Sequence, residues 1–259
     1  MEAPQPILFV SHGAPTLALD GGAWGVALKT WAAGLAPIRA ILVASAHWES
    51  AGAIRVQAHP APGTLHDFGG FPEPLYQMRY PAPGHPALAG QVVELIRAAG
   101  LAAELDPERP FDHGAWVPLR AAFPEAQIPV IQVSLPVPRT PRMLFELGRA
   151  LAPLRTEGVL LLASGGIVHN LGLLDWAGAG APEAWASGFE QWVAASLAEP
   201  ARLFQASTQA PSYGKAVPTS EHFDPLFFAL GAAGPAPVRT LFEGWQLGNL
   251  SLRTWVWEA

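Results

Sequence analysis

The chain has 259 residues, of which 50% are hydrophobic and 14% are charged, so it is long enough to bury a large core. Its net charge of −6 excludes the strongly basic surface that nucleic acid or an anionic membrane would attract. Because the chain contains no cysteine, a transition metal would have to bind His, Asp or Glu side chains. The absence of a long apolar run and of a signal-peptide pattern predicts a cytoplasmic protein.

Apolar runs and amphipathic segments alternate along the chain and predict a succession of strands and helices. The predicted strands are Ile7–Val10, Ile41–Ser45, Ile54–Gln57, Ala102–Leu105, Val130–Ser134, Val159–Ser164, Val238–Phe242 and Leu250–Trp257. The predicted helices are Ala23–Leu35, Pro86–Ala99, Pro118–Phe123, Pro141–Leu154, Pro182–Ala198 and Asp224–Ala232. Several of the strands are continuously apolar, which is typical of strands covered on both faces.

This alternation predicts an α/β fold, with a mostly parallel twisted sheet, helices on both faces and a single domain spanning residues 1–259. The last two strands have no helix between them, which favours an antiparallel edge. The segment Ala58–Gly84 is rich in proline and glycine and is long for a loop in a compact domain. Loops of that length are often lids or binding loops, so this segment is expected to border a site.

Four of the eight histidines stand where predicted elements begin or end. His12, His47 and His169 follow apolar strands, and His222 precedes the last predicted helix. Ligands of open α/β sheets bind beyond the carboxyl ends of the strands, where imidazoles from separate strands can converge. One such histidine alone is more often a hydrogen-bonded loop residue, but two from strands taken as neighbours favour a shared site. Since imidazole is the commonest protein metal ligand, the sequence predicts a mononuclear metal site.

Two further motifs allow both a structural and a functional interpretation. Asp112 and His113 precede a short helix, where they could cap that helix or present an imidazole to a substrate. The segment from Ser164 to His169 is a glycine-rich strand exit, but it lacks the lysine of a phosphate-binding loop. It also lacks the G-x-S-x-G elbow that would support a hydrolase triad.

The long segment and the histidine motifs also contain candidates for a substrate pocket. His59, His66 and His85 are predicted to be surface or substrate-pocket groups rather than metal ligands. Trp48 and Trp116 adjoin candidate site histidines, so they either form the wall of an aromatic pocket or pack in the core. The composition around the motifs predicts a largely apolar pocket that accommodates an aromatic ring.

Six short motifs, in a fixed order along nearly the whole chain, carry a family resemblance. They are residues 11–15 (SHGAP), 45–48 (SAHW), 66–72 (HDFGGFP), 112–119 (DHGAWVPL), 165–170 (GGIVHN) and 221–226 (EHFDPL). With these motifs the sequence resembles the class III extradiol ring-cleavage dioxygenases, and within them the 4,5-DOPA dioxygenase extradiol-like subgroup.

The resemblance implies a ligand set and a division of roles among the histidines. His12, His47 and His222 would bind one divalent metal ion, His169 would act as the acid–base residue and His113 would assist in the active site. The substrate would be a DOPA-like catechol, cleaved with O₂ beside its two hydroxyl groups.

Two details of the implied site stay open at the level of sequence. The wider class uses a glutamate as its third ligand, so Glu221 beside His222 is an alternative. Iron(II) is the expected metal for activity, but three neutral imidazoles also suit zinc, so zinc is plausible as the bound ion. Trp48, His66 and Trp116 are the candidate substrate contacts.

Two hypotheses from other functional classes compete with the dioxygenase. One is a zinc-dependent hydrolase that uses three histidine ligands and a metal-activated water. The other is a non-catalytic protein that binds an aromatic molecule or a metal on the same fold. Neither nucleic acid nor a membrane is expected as a partner, and a homo-oligomer is left open.

Overall fold

The computed structural model describes residues 4–176 and 181–258, which form one α/β domain. Within these residues ten strands are found. They are β1 (Ile7–Ser11), β2 (Ala40–Ala51), β3 (Ile54–Gln57), β4 (Ala103–Asp106), β5 (Val130–Val137), β6 (Val159–Gly165), β7 (Val238–Phe242), β8 (Trp245–Gln246), β9 (Leu250–Ser251) and β10 (Thr254–Trp257).

The helices of the described residues vary widely in length. They are α1 (Gly22–Ala33), α2 (Glu73–Gln77), α3 (Pro86–Ala98), α4 (His113–Ala122), α5 (Pro141–Leu151), α6 (Ala184–Ser196), α7 (Pro200–Leu203), α8 (Ala206–Gln209), α9 (Tyr213–Ala216) and α10 (Pro225–Ala233). None of these helices combines the length and the apolar character that crossing a bilayer requires.

Eight strands form one sheet in the order β4-β3-β5-β2-β6-β1-β10-β7. The central strands β5, β2, β6 and β1 pair in parallel, so their carboxyl ends lie along the same edge. At one side β10 pairs antiparallel with β1 and β7 pairs antiparallel with β10, which confirms the predicted antiparallel edge. The mostly parallel sheet predicted from the alternation of elements is therefore confirmed.

Helices cover both faces of this sheet, as the apolar strands predicted. In β1, Ile7 and Phe9 face one core, whereas Leu8 and Val10 face the other. The first core is completed by helices α3, α5, α6 and α10, and the second by α1 and α4. Because side chains of a strand alternate between faces, only a strand buried on both sides can be apolar at every position.

Three predictions about neighbouring elements were wrong in ways that concern the site. β1 and β2 are not adjacent, because β6 lies between them. Strand β2 does not end at Ser45 but continues through an irregularity in its pairing with β5. The predicted strand Leu250–Trp257 is divided into β9, which pairs with β8, and β10.

The prediction that a helix starts at Pro118 was also wrong. Helix α4 begins at His113, and Pro118 lies inside it. The Asp112 side chain accepts a hydrogen bond from the backbone N–H of Ala115 at 3.1 Å, which fixes the earlier start. Proline lacks the N–H that would bond the carbonyl four residues back, so the carbonyl of Gly114 loses its helical partner.

Candidate active site

His12 directly follows β1 and points into the edge where the parallel strands end. Its Nδ1 lies 2.9 Å from the Ser164 hydroxyl oxygen, on the neighbouring strand β6. That hydroxyl donates its own hydrogen to the carbonyl of Gly114, the carbonyl that Pro118 leaves without a helical partner. The Ser164 oxygen must therefore accept from His12, so Nδ1 of His12 carries the proton and Nε2 has a free lone pair.

His47 lies in the irregular part of β2. Ala44 is opposite Val133 and Glu49 is opposite Leu135, so β2 has more residues than β5 between these two pairs. Extra residues of this kind form a bulge, which turns a side chain away from its regular direction. Here the bulge brings the His47 imidazole toward His12. Nδ1 of His47 faces the Asp67 carboxylate at 3.5 Å.

A buried carboxylate holds this bulge from behind. Asp112 accepts hydrogen bonds from the Ser45 hydroxyl at 2.6 Å, from Gln132 at 2.7 Å and from Arg109 at 3.1 Å. The same Arg109 nitrogen donates to the backbone carbonyl of His47 at 3.0 Å. Asp112 thus links the helix that begins at His113 to the strand that carries His47.

His222 lies in the turn that precedes α10 and is buried. Its Nδ1 is 3.1 Å from the carboxylate of the adjacent Glu221, which accepts its proton. The backbone of this turn packs against the end of β6, where the N–H of Gly166 donates to the His222 carbonyl at 2.8 Å. A side chain at Gly165 would collide with that carbonyl, so the turn can approach β6 only because residue 165 is glycine.

The three imidazoles converge through their Nε2 atoms. Nε2 of His47 lies 3.0 Å from Nε2 of His12 and 3.2 Å from Nε2 of His222. Each Nδ1 faces an oxygen, from Ser164, Asp67 or Glu221, so each ring presents its other nitrogen to the common point. Imidazoles bound to a metal are commonly oriented in this way by a partner on the second ring nitrogen.

His113 and His169 lie on either side of this cluster. Nδ1 of His113 donates to Asp67 at 2.9 Å, and its ring centroid lies 3.9 Å from that of His47. The ring of His169 stacks on that of His222, with centroids 3.4 Å apart and planes inclined by 7°. The structure thus brings together all five histidines that the sequence singled out for metal binding and catalysis.

Two separate groups in this cluster have the composition of a metal site. The ligand nitrogens of His12, His47 and His113 all lie within 4.8 Å of one another. The ligand atoms of His169, Glu221 and His222 meet the same limit. The donors are imidazole nitrogens and one carboxylate, which suits a divalent transition ion of the iron or zinc type.

The electrostatic environment keeps most of these imidazoles neutral. Burial and the neighbouring His47 hold the pKa of His12 well below its usual 6.5, and burial and His169 do the same for His222. Burial also lowers the pKa of His47 and of His169 to about 4. Neutral imidazole is the form that binds a metal or accepts a proton.

Asp67, in contrast to these imidazoles, is held in its charged form. Its burial raises the pKa of the carboxyl, but the hydrogen bonds that it accepts from His113 outweigh this effect, and the pKa falls to about 2. Asp67 was part of a sequence motif but was assigned no role. The structure places it between His113 and His47, where it stays ionised.

The imidazole cluster forms one end of a cavity of about 450 Å³, a size common for small-molecule sites. Its polar lining consists mainly of four of these histidines and two carboxylates, namely His47, His113, His169, His222, Asp67 and Glu221. The rest of the wall is largely apolar, with Phe68, Phe71 and Trp176 as its aromatic members. Such a wall fits the expectation of an apolar pocket for an aromatic ring.

The three side chains predicted to contact substrate lie outside the wall of this cavity. Trp116 is fully buried in the core and donates to the carbonyl of Leu65 at 2.9 Å. His66 bonds the carbonyl of Met78 at 3.1 Å, and Trp48 is buried beneath the guanidinium of Arg109. The aromatic side chains that line the cavity are instead Phe68 and Phe71 of the long segment, together with Trp176.

The other two histidines that the sequence assigned to the surface or the pocket have local structural roles. His59 accepts from the N–H of Ala61 at 3.0 Å, and His85 caps helix α3 by accepting from Leu88 at 3.2 Å. Neither belongs to the imidazole cluster, as the sequence predicted.

Comparison with known proteins shows which protein family this chain resembles. Residues 7–249 match a family model described as the catalytic LigB subunit of aromatic ring-opening dioxygenase. The chain is 40% identical to the 4,5-DOPA dioxygenase extradiol of Escherichia coli (strain K12), over 96% of this chain and 93% of that protein. It is 41% identical to the protein of the same name from Portulaca grandiflora, over 93% and 92% of the two chains.

A solved structure shares the fold. The crystal structure of an uncharacterized protein from Escherichia coli K12 superposes with a TM-score of 0.82, at 34% identity over 97% of this chain and 99% of the other. The agreement therefore extends over the whole sheet and both helical layers.

Proposed function

Because the chain belongs to the family of catalytic LigB subunits of aromatic ring-opening dioxygenases, we propose that it cleaves the ring of a catechol with O₂, beside the two hydroxyl groups. One observation carries the proposal: three imidazoles, of which His12 and His222 are buried and His47 is half-buried, converge through Nε2, and each has its Nδ1 facing an oxygen. This arrangement provides a set of neutral nitrogen ligands at the end of a cavity that fits an aromatic ring.

His12, His47 and His222 would hold one divalent metal ion, with iron(II) as the ion needed for activity and zinc as an ion that the same ligands also suit. Iron(II) bound there would supply the electron transfer between catechol and O₂ that ring cleavage requires. Glu221 would act through His222, since its carboxylate already accepts the proton of His222 Nδ1.

His169 would move a proton between the catechol and the oxygen that enters the ring. It lies on the cavity wall against His222, so a catechol beside the ligands would be within its reach. Its neutral imidazole would take the proton of a catechol hydroxyl and return it as the ring opens. Acid–base assistance of this kind typically contributes about 10²–10⁴-fold in rate.

His113 would assist from the opposite side. Asp67 receives hydrogen bonds from both its ring and its backbone N–H, at 2.9 and 3.0 Å, which fixes the imidazole at the cavity wall. In that position His113 would orient a catechol oxygen. Phe68 meets the His113 ring edge-on, with centroids 5.5 Å apart, and would shield the ring of the substrate from water.

The reactants, the location and the oligomeric state of the protein are predictions. A catechol and O₂ would be the reactants, and a cytoplasmic location and a homo-oligomer rest on sequence alone. Family membership gives no support to the zinc hydrolase or to the non-catalytic binding protein.

Anaerobic reconstitution with Fe²⁺ and, in parallel, with Zn²⁺ tests the proposal. The iron-loaded protein should consume O₂ when a catechol is added and should form a product with a new visible absorbance, whereas the zinc-loaded protein should not. No O₂ uptake with any member of a catechol panel would contradict the proposal. Ester turnover by the zinc-loaded protein without O₂ would favour the hydrolase instead.

A further inference from the structure

The charged side chains that line the cavity are all acidic. They are Asp67 and Glu221, and neither lysine nor arginine lines the cavity within residues 4–176 and 181–258. Residues 177–180, which follow the rim residue Trp176, read Ala-Gly-Ala-Gly and add no charge. A substituent on a catechol that points into this cavity would therefore meet no cationic side chain.

The cations on segments next to the site already have partners. Arg109 is bound to Asp112 and to the His47 carbonyl. Arg139 pairs with Asp224, two residues after His222. Lys215 lies 3.8 Å from Glu183 and 4.5 Å from the centre of the Trp185 ring.

To reach the cavity, Arg109 or Arg139 would have to leave a buried carboxylate. Asp112 is fully buried and Asp224 nearly so. Separating such a pair leaves an uncompensated charge in the interior, which is strongly unfavourable. These arginines are therefore unavailable to an anionic substituent.

The rim of the cavity is apolar. Leu171 and Trp176 belong to the cavity wall yet are 58% and 67% exposed, and Leu174 lies between them. Large apolar side chains left exposed at the mouth of a pocket indicate that an apolar portion of a ligand contacts them. An alkyl chain on the catechol would bury against this rim, whereas a carboxylate would lose water there without gaining a partner.

We propose that this site selects catechols whose ring substituent carries no negative charge, either a neutral alkyl group or a protonated amine, and discriminates against a carboxylate. The inference rests on the proposed function and narrows its substrate class. The relatives are named for DOPA, an amino acid that carries both an amine and a carboxylate. For this chain the better substrate would be the corresponding amine without the carboxylate.

Three ligands that share one catechol ring and a two-carbon spacer isolate the charge. They are 4-ethylcatechol, 3,4-dihydroxyphenethylamine and 3,4-dihydroxyphenylpropionate. Calorimetry with the zinc-loaded protein measures binding without turnover, and the iron-loaded protein gives kcat/KM from O₂ uptake. We expect the propionate to bind at least about tenfold more weakly than the other two and to show a similarly lower kcat/KM.

A new cation on the rim should reduce the discrimination against the carboxylate. Leu171→Arg places a guanidinium on the wall at an exposed position, so the core is not disturbed. The ratio of kcat/KM for propionate over ethylcatechol should rise roughly tenfold. Val26→Arg is the matched control, because Val26 is 66% exposed on α1 and outside this cavity. It changes the net charge equally and should leave the ratio unchanged.

The outcomes separate this inference from the proposed function. Propionate bound or turned over as well as ethylcatechol would overturn the inference while leaving the dioxygenase intact. A Leu171→Arg ratio equal to that of Val26→Arg would overturn its electrostatic basis. O₂ uptake absent with all three catechols would instead overturn the proposed function, and calorimetry would still decide the order of binding.

Discussion

The two sides of the imidazole cluster are held by different kinds of contact. The strand pair is His12, which directly follows β1, and His47, which lies in β2. Both are oriented by side chains, chiefly Ser164 and Asp67. His169 and His222, the stacked pair, lie on connecting segments and are held through the backbone. The N–H of His169 donates to the Ala216 carbonyl at 3.0 Å, and the His222 carbonyl accepts from Gly166 at 2.8 Å.

Strand β6 explains how both sides meet. It lies between β1 and β2, and its last two residues contact both sides of the cluster. Ser164 presents a hydroxyl to His12, whereas Gly165 presents bare backbone to the His222 turn. A change at the first residue should therefore disturb ligand orientation through hydrogen bonding, and a change at the second should displace a whole turn.

Removing a ligand tests whether each side contributes to the metal site, and this should be the largest effect. His12→Ala and His222→Ala should each abolish stoichiometric metal in purified protein, because two imidazoles remain on an otherwise intact fold. Metal content by elemental analysis, with circular dichroism as the control for folding, measures this.

His113→Ala is the comparison that decides the ligand set. It should retain metal, since His113 would assist the substrate and not the ion. Metal retained in His222→Ala but lost in His113→Ala would show that the third ligand comes from His113, which also lies within reach of His12 and His47. The stacked pair would then have no direct part in metal binding.

The next prediction divides the stacked pair into a ligand and a catalyst. His169→Gln keeps polarity and approximate size but removes a neutral imidazole that can accept a proton and return it. The variant should keep its metal and bind catechol, yet lose roughly 10²-fold or more in kcat. Turnover at the wild-type rate would rule out the acid–base role, and loss of metal would move His169 into the ligand set.

The sequence predicted the strand pair better than the stacked pair, for a physical reason. An apolar run that ends in a histidine marks a strand end, and parallel strand ends share an edge, so His12 and His47 could be placed together. The partner of His222 could not be read in this way, because contact between a turn and a strand depends on tertiary packing. The sequence placed His222 only at the start of a helix, and the family resemblance assigned it to the ligand set.

The supporting contacts were hidden in the sequence for the same reason. The glycines at residues 165 and 166 resemble a phosphate loop that lacks its lysine, and in the structure Gly165 permits close backbone approach. Pro118 suggested a helix start, but inside α4 it frees a carbonyl for Ser164. Both signals were visible, yet their meaning depends on which segments become neighbours in the sheet.

Gly165→Ala breaks the backbone contact that holds the stacked pair. The added methyl group would collide with the His222 carbonyl, so the turn and its imidazole must shift. We expect metal affinity to fall toward the upper end of the roughly 10–100-fold range seen for supporting residues. Chelator competition for Zn²⁺ measures this. Gly188→Ala on α6, where an added methyl group meets nothing within 4 Å, is the control and should bind zinc normally. Equal affinity in the two variants would contradict the role of Gly165.

Ser164→Ala tests the side-chain contact of the strand pair. We expect its effect to be smaller than the effects of the ligand, His169 and Gly165 substitutions. It removes the acceptor for the His12 Nδ1 proton, so that proton can move to Nε2. Nε2 then has no free lone pair for a metal ion. Metal affinity should fall by about tenfold, because the imidazole itself remains.

The same substitution leaves the buried Gly114 carbonyl without a donor, since Pro118 has no N–H to offer. Unfolding free energy should therefore fall by about 1–3 kcal/mol as well. Ser134→Ala separates the loss of stability from the loss of metal affinity. Ser134 lies on β5 and is as buried as Ser164. Its hydroxyl bonds that of Ser50 at 2.6 Å and accepts from the N–H of Arg55 at 2.8 Å, outside the cluster. The control should lose comparable stability in denaturant titration while binding zinc as tightly as the parent protein. If both serine variants lose zinc affinity to the same degree, the loss reflects general destabilisation and Ser164 does not select the tautomer of His12.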